Sequence, residues 1–525
     1  MESSRQPPNL QVNMYWFYGV MIAGVLVWVV QLISAVNQNK LKLKLPPGPP
    51  QWPFVGNLLD LGKMPHHAMT SMAKKYGDLV YLRLGVVHAV VVSSPDMAKE
   101  FLKVQDSVFS GRSSGVQSKL IFYDSQGLIL SVGDHWRLMR KVTTLELFST
   151  KRVKEGEPIR REELLIAISD LLEKGNAKET VKMDPFLFGL AINNITRLLF
   201  NETYYGTKVT GAPQDCKTLQ DLITANYDAG FLVIRDFIPW LGPLDLGGTE
   251  AKMKKNGRGF DAFFSKKMDE HRAQGLKGRN GLPALVDVLL QLQQDGEGPS
   301  EPAIKGLLMD ILLAGSETAA SVETWALTEL MRHPEARQKL LTELDTVVGR
   351  DRLVEEADLV NLKYLQAVVK ETFRLHPALP FLVPHESLSA TKVAGYDIPA
   401  KTRVFVNIYH IGRDPSLWSD PLSFNPDRFL DSPIGVRGQN FELLPFGSGR
   451  RICVGLNLGM LLIELNLAQI LHTCELSLPP GVKPEDVDIE EKFGEQVTTP
   501  KAVPLEIVAA PRLPSRVYKE AGMVF

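Results

Sequence analysis

Ten residues, Phe446-Gly-Ser-Gly-Arg-Arg-Ile-Cys453-Val-Gly455, set one cysteine in a glycine-rich turn beside two arginines. An apolar stretch of helical spacing, Leu456 to Leu471, follows directly. That order places the sulfur at a helix start, where free N–H groups and the positive dipole end favour a thiolate. A soft thiolate suits haem iron and pushes electron density onto the metal. The glycines allow close backbone approach to a flat macrocycle. Arg451 is placed to reach a propionate, and Phe446 to cover the sulfur. A lone cysteine is most often a small buried hydrophobe, but four further positions matched at fixed spacing speak against that here.

Composition sets outer bounds. The 525 residues carry a net charge of −1, which gives no argument for a nucleic-acid partner. The three cysteines, Cys216, Cys453 and Cys474, lie far apart and form no disulfide framework, as fits a reducing compartment. There is no internal repeat, no phosphate-binding glycine loop and no zinc-type cysteine spacing.

Met14 to Val36 holds no charged residue or histidine and is long enough to cross a bilayer as a helix. Tyr15, Trp16 and Tyr18 mark one end; Lys40, Lys42 and Lys44 follow the other. The positive-inside rule puts the lysines and everything after them in the cytosol. A cleaved signal peptide fits less well, because the run is too long and no small-residue cleavage site follows. The expected organisation is an anchor over 14–36, a basic and proline-rich hinge over 37–57, and one large domain over 58–525. Two sequons, at Asn194 and Asn201, would then face the cytosol unmodified.

Further along, Leu79 to Leu84 and Ala89 to Val92 read as a hairpin, and Ser94-Pro95-Asp96 as a helix start. Asp106 to Leu130 reads as a long loop. Trp136 and Arg140, four apart, share a helix face that would suit a carboxylate; alone they fit a surface cation–π pair as well. The segment Asp236 to Leu244 is either a packed connection or an apolar loop dipping into lipid. Ile304 to Arg332 reads as one helix, on the order of 40 Å long, apolar nearly all round in its first half and therefore buried. In its middle, Glu317 and Thr318 are costly unless used or satisfied. Thr318 alone would bond back to the Ala314 carbonyl and bend the helix. Val404 to Ile408 reads as a strand, and the last loop offers Val497, Thr498 and Thr499 to the cavity.

Taken together, these motifs resemble the cytochrome P-450 haem-thiolate monooxygenases of the plant microsomal type, over about residues 46 to 515. The resemblance implies a mainly α fold with a small β region and heme b held by Cys453. It implies that Glu317 and Thr318 handle protons and dioxygen, and that Trp136, Arg140, His385 and Arg451 meet the propionates, with Phe446 over the sulfur. Leu379-Pro-Phe381-Leu-Val383 would lie over the haem. Glu371, Arg374 and Arg428 resemble a structural charge triad; Asp427 stands where the family commonly has Glu, and Ala319 where it has Thr or Ser.

Implied partners are dioxygen, membrane lipid, a lipophilic substrate and an NADPH-dependent flavoprotein reductase. The reductase would dock near the basic cluster Arg137, Lys141, Lys151, Arg152 and Lys154. The implied location is the endoplasmic reticulum membrane, single-pass, with a cytosolic catalytic domain. Stretches around Pro384 and Ile398 look like plant in-chain hydroxylases of medium-chain fatty acids. Val360 to Leu375 and Val503 to Leu505 look like flavonoid 3'-hydroxylases. The first reading, which is the preferred one, needs a carboxylate partner in the pocket; the second, its alternative, needs recognition of a phenol. Two other classes stay open: a haem-thiolate isomerase or dehydratase, and a non-catalytic ligand binder.

Overall fold

A helix that is apolar all round must be sheathed by others, and the 32-residue helix Glu301–Arg332 is. It packs against Met183–Phe200, Leu456–Thr473 and Lys363–Leu375. Pro302 sits in its first turn, and His333 with Pro334 ends it. The computed structural model describes Trp16, residues 18–21 and 23–28, and 43–525 apart from 207–208, 230–232, 246, 277–282, 493–497 and 524.

The chain is mostly helical, with a small β region whose largest sheet has four strands. Leu79–Leu84 and Val87–Val92 pair antiparallel, with Leu79 opposite Val92. Arg403–Val406 joins in parallel, Ala89 opposite Arg403, and His385–Glu386 closes the edge with His385 opposite Val404. Val80, Leu82, Ala89 and Val91 form one apolar face of this sheet. The expected strand at Val404 to Ile408 is shorter than its apolar run. Asn407 accepts from His410 N–H at 3.1 Å and starts a one-turn helix, Ile408–Ile411. The expected loop at Asp106 to Leu130 contains a short helix, Val116–Leu120.

The proline-rich segment is stapled to the sheet edge. Tyr81 N–H donates to Pro47 O at 2.8 Å, and Asn57 ties Pro50 O to Arg83 N–H. A Cβ on Gly48 would meet Tyr81 O at 2.1 Å, so only glycine allows that approach.

Most of 14–36 lies outside the described residues. Those described there are helical, with Trp16 74% and Leu26 60% exposed. Among the described residues no helix is long and apolar enough to cross a membrane. In 236–244, Phe237 and Ile238 are buried under the sheet, while Trp240 and Leu244 are exposed. The sequon residue Asn194 is buried and donates to Leu190 O at 3.0 Å, so the folded chain cannot present it.

Candidate active site

The cysteine turn is held from three directions. Within it, Cys453 N–H donates to Phe446 O at 2.9 Å. From the helix Gly133–Glu146, Arg140 reaches Ile452 O at 2.6 Å. Arg451 donates to Ser110 O at 2.9 Å and to Ser131 O at 2.6 Å, with its guanidinium 4.5 Å from the Trp136 ring centre. Phe446 stacks edge-on against Phe373 at 5.3 Å and lies against Gly459 at the start of the following helix.

Phe373 links this turn to the charge triad. Glu371 and Arg374, fully buried on Lys363–Leu375, form a bidentate pair with both contacts at 2.7 Å. Arg374 spends its remaining N–H groups on Gly412 O, Pro421 O and Ser423 O, so all five donors are used. Arg428 Nε donates to Glu371 Oε1 at 3.0 Å, and Asn425 N–H to the same oxygen at 2.8 Å. Asp427 turns outward to Lys339 at 2.6 Å.

One cavity of about 270 Å³ brings most of the candidate residues together. Trp136, Arg140, His385, Phe446, Arg451 and Cys453 line it, as do Ala314, Gly315 and Thr318 of the long helix. The walls are chiefly apolar, with Leu128, Ile195, Val322, Leu379 and Val383 among them. Leu379, Leu382 and Val383 reach it, but Phe381 turns away to pack against Phe405.

Arg112 was not legible in the sequence. It stands in the loop after Gly111, with nothing in its neighbours to mark it. Folded, it donates to Val383 O at 2.6 Å and Pro384 O at 2.8 Å, while its buried Nε has no partner. Burial, and then the charge of Arg451, presses its guanidinium down to about 9. Burial and then Arg140 likewise press Arg451 down to about 10. None of Arg112, Arg140 or Arg451 pairs with a carboxylate among the described residues. Three crowded guanidiniums and a bare buried N–H are costly unless an anion completes them. Two propionate carboxylates have the right charge and acceptor number, so the residues fit a haem.

His385 donates from Nδ1 to Phe109 O at 2.7 Å, since a carbonyl can only accept. Burial, with the charges of Arg112 and Arg451, holds the ring well below its usual range. A carboxylate arriving at Nε2 would therefore bring a proton with it.

The surroundings of the expected side chains modify the reading from spacing alone. Burial raises the Cys453 thiol, and a backbone hydrogen bond at Gly455 with the Arg140 charge only partly offsets that. The sulfur is exposed to the cavity, and burial outweighs the helix start in its effect on the thiol. Thr318 bonds back to Ala314 O at 2.7 Å, as expected, within a continuous helix. Glu317 does not line the cavity: its carboxylate accepts from both the N–H and the hydroxyl of Thr498. Thr498 and Thr499 are consequently turned away from the cavity, Thr499 donating to Pro377 O at 3.1 Å, and Val497 lies outside the described residues. The basic cluster is partly neutralised by its own neighbours, Arg137 by Asp134 and Arg152 by Glu155.

Comparison with known proteins agrees with this geometry. The Cytochrome P450 family model matches residues 46–505. A flavonoid 3'-monooxygenase of Arabidopsis thaliana is 38% identical, covering 96% of this chain and 98% of its own length. Cytochrome P450 703A2 of the same plant is 37% identical, with 95% and 98% covered. A trimethyltridecatetraene synthase of Zea mays is 38% identical, with 93% and 92% covered. Relatives named for different products stand at nearly equal identity, so overall identity does not choose the substrate.

Proposed function

The chain belongs to the cytochrome P450 family, and we propose that within it the protein is a haem-thiolate monooxygenase that hydroxylates a phenolic, flavonoid-like molecule. The observation that carries this reading is the shared cavity, with the Cys453 thiol, three guanidiniums without a carboxylate partner among the described residues and the Thr318 helix stripe on its walls. Cys453 would supply the thiolate that holds the haem iron. Arg112, Arg140, Arg451, Trp136 and His385 would hold the propionates, and Phe446 would shield the sulfur. Haem bound there supplies dioxygen activation and insertion of one oxygen atom into a C–H bond, with electrons from NADPH through a separate flavoprotein reductase.

The protein's own part is positional. Gly315 leaves room beside Ile195, whose Cδ1 would lie 2.6 Å from an added Cβ. The Thr318 hydroxyl proton is committed to Ala314 O, so its lone pairs are what it offers to a donor in the cavity. Glu317 would move protons from just behind the wall, its carboxylate fixed by Thr498. Glu371, Arg374 and Arg428 stay clear of the cavity and keep a supporting role.

Substrate choice follows from charge. A fatty acid needs a cation for its carboxylate. The cavity's cations are the group around the cysteine turn and are claimed by the propionates; the ionisable group on the long-helix wall is an acid, Asp310. A phenol has no such need, and a flavonoid 3'-monooxygenase is among the similar proteins. In-chain fatty-acid hydroxylation therefore stands second. The location proposed is the endoplasmic reticulum membrane, supported by the apolar 14–36 run and its exposed Trp16, Val20 and Leu26.

The test is incubation with reductase and NADPH on naringenin and, separately, lauric acid. Hydroxylated naringenin is expected; hydroxylated laurate alone would reverse the order. Product formed without NADPH would point instead to an isomerase or dehydratase. Replacing Cys453 by Ala should abolish both the haem absorption and turnover, and retention of both would refute the ligand assignment.

A further inference from the structure

The long helix turns a stripe of Asp310, Ile311, Ala314, Gly315 and Thr318 to the cavity. Asp310 is 3% exposed, and its two oxygens have different fates. Oδ2 accepts from Leu128 N–H at 2.5 Å and Ile129 N–H at 2.8 Å. Gly127 makes that possible, since a Cβ there would lie 2.3 Å from Oδ2. Oδ1 has no partner among the described residues and is not sealed off by protein. A carboxyl oxygen in an apolar cavity, held in one rotamer by two backbone donors and otherwise unused, is a costly arrangement without a ligand.

We propose that Asp310 sets substrate orientation and specificity: its Oδ1 accepts a hydrogen bond from a hydroxyl group of the aromatic substrate. The proposal rests on the reading of this cavity as the substrate site. Asp310 and Thr318 are eight residues apart, about 12 Å along the helix axis. A molecule of two or three linked rings, anchored by a hydroxyl at Asp310, would present its far ring beside Thr318. Among the described residues no guanidinium or ammonium pairs with the acid. Burial raises it to about 7 against the two backbone bonds. In its ionised form Asp310 repels a substrate carboxylate, whereas a phenol supplies the missing donor. An ammonium would bring a second desolvated charge into an apolar cavity, at higher cost than a neutral hydroxyl.

Equilibrium dialysis on the haem-loaded enzyme tests this without turnover. The ligands are naringenin, flavanone (the same rings without hydroxyls) and an amino analogue of flavanone. In Asp310→Asn, the amide oxygen can still accept from residues 128 and 129 while its NH₂ faces the cavity, so a donor replaces the acceptor. The wild type is expected to bind naringenin at least tenfold more tightly than flavanone. Asp310→Asn should reduce that ratio to threefold or less, with flavanone affinity and melting temperature unchanged. Asp310→Ser, whose shorter side chain leaves the N–H groups of residues 128 and 129 unpaired, should reduce the ratio likewise but at a lower melting temperature. Where naringenin is turned over, KM should rise more than kcat falls, and the hydroxylated position should spread.

A wild type without the tenfold preference, a preference surviving in both variants, or tighter binding of the amine than of naringenin each overturns the role of Asp310. The broader reading is judged separately by whether wild type and reductase hydroxylate naringenin at all. An enzyme that does so with Asp310→Asn unaltered in preference keeps the function and loses only this residue.

Discussion

Arg140 Nη1 donates to the carbonyl of Ile452 at 2.6 Å, one residue before Cys453. A side chain on one helix thereby fixes the peptide that aims the sulfur of another segment. The bond is charge-assisted and partly buried, the kind whose loss costs about 1.5–3 kcal/mol. Arg140→Ala should lower stability by that amount and lower haem content more than it lowers yield of folded chain. Arg140→Lys should lie between, since an ammonium lacks the planar fork. Haem absorbance per protein and thermal melting check both.

Gly449 shows the same turn's intolerance of bulk. Its φ is +68°, and a Cβ would lie 1.8 Å from Leu102 O, a backbone atom that cannot swing aside. Gly449→Ala should cost at least about 2 kcal/mol and abolish stable haem retention. Gly435, with open space around its Cβ position, is the control, and its Ala variant should stay within about 0.5 kcal/mol.

The triad should behave as a unit. Glu371→Gln leaves Arg374 a buried cation with its bidentate partner gone, and Arg374→Met leaves the carboxylate facing Arg428 alone. Each single change should destabilise by about 3–5 kcal/mol, and the double variant by less than their sum. Urea unfolding measured on all three variants decides the matter.

A second buried network gives a pH dependence. Burial would raise the Glu329 carboxyl, but hydrogen bonds from His333 and His376, with their charges, override it and hold it at about 2, against 4.5 unperturbed. A depressed acid contributes stability above its unfolded value and loses it as pH falls through the folded one. The window is therefore about pH 4.5 to 2, and the contribution about 3 kcal/mol. His333, raised by the Glu329 contact, acts oppositely: its share is full below 6.5 and is lost as pH rises through its folded value. Glu329→Gln should flatten acid unfolding across the lower window and remove the loss at the upper one. Denaturant titrations at stepped pH check both limbs.

Much of the site was legible because its parts are local. Phe446 to Gly455 is one turn, Glu371 and Arg374 are three apart on a helix, and Trp136 and Arg140 are four apart. Helical spacing alone puts such pairs on one face. The apolar run from Ile304 marked a buried helix for the same reason. Less legible were the ends and the aims of side chains. Asn407 stopped a strand that its apolar neighbours would have prolonged. Thr498 drew Glu317 off the cavity wall, which no spacing within 314–319 announces.

The sequence by itself determined the family, the cysteine, the long helix and the charge pair, because each is written in neighbouring residues whose geometry the backbone fixes. Only the tertiary structure decided that Arg112 joins Arg451 and Arg140 at one cavity with its own Nε unpartnered among the described residues, and that residues 128 and 129 hold one oxygen of Asp310 while the other has no partner among the described residues. Those arrangements join segments far apart in the chain. Burial then sets the value of each charge, and burial is a property of the packed whole.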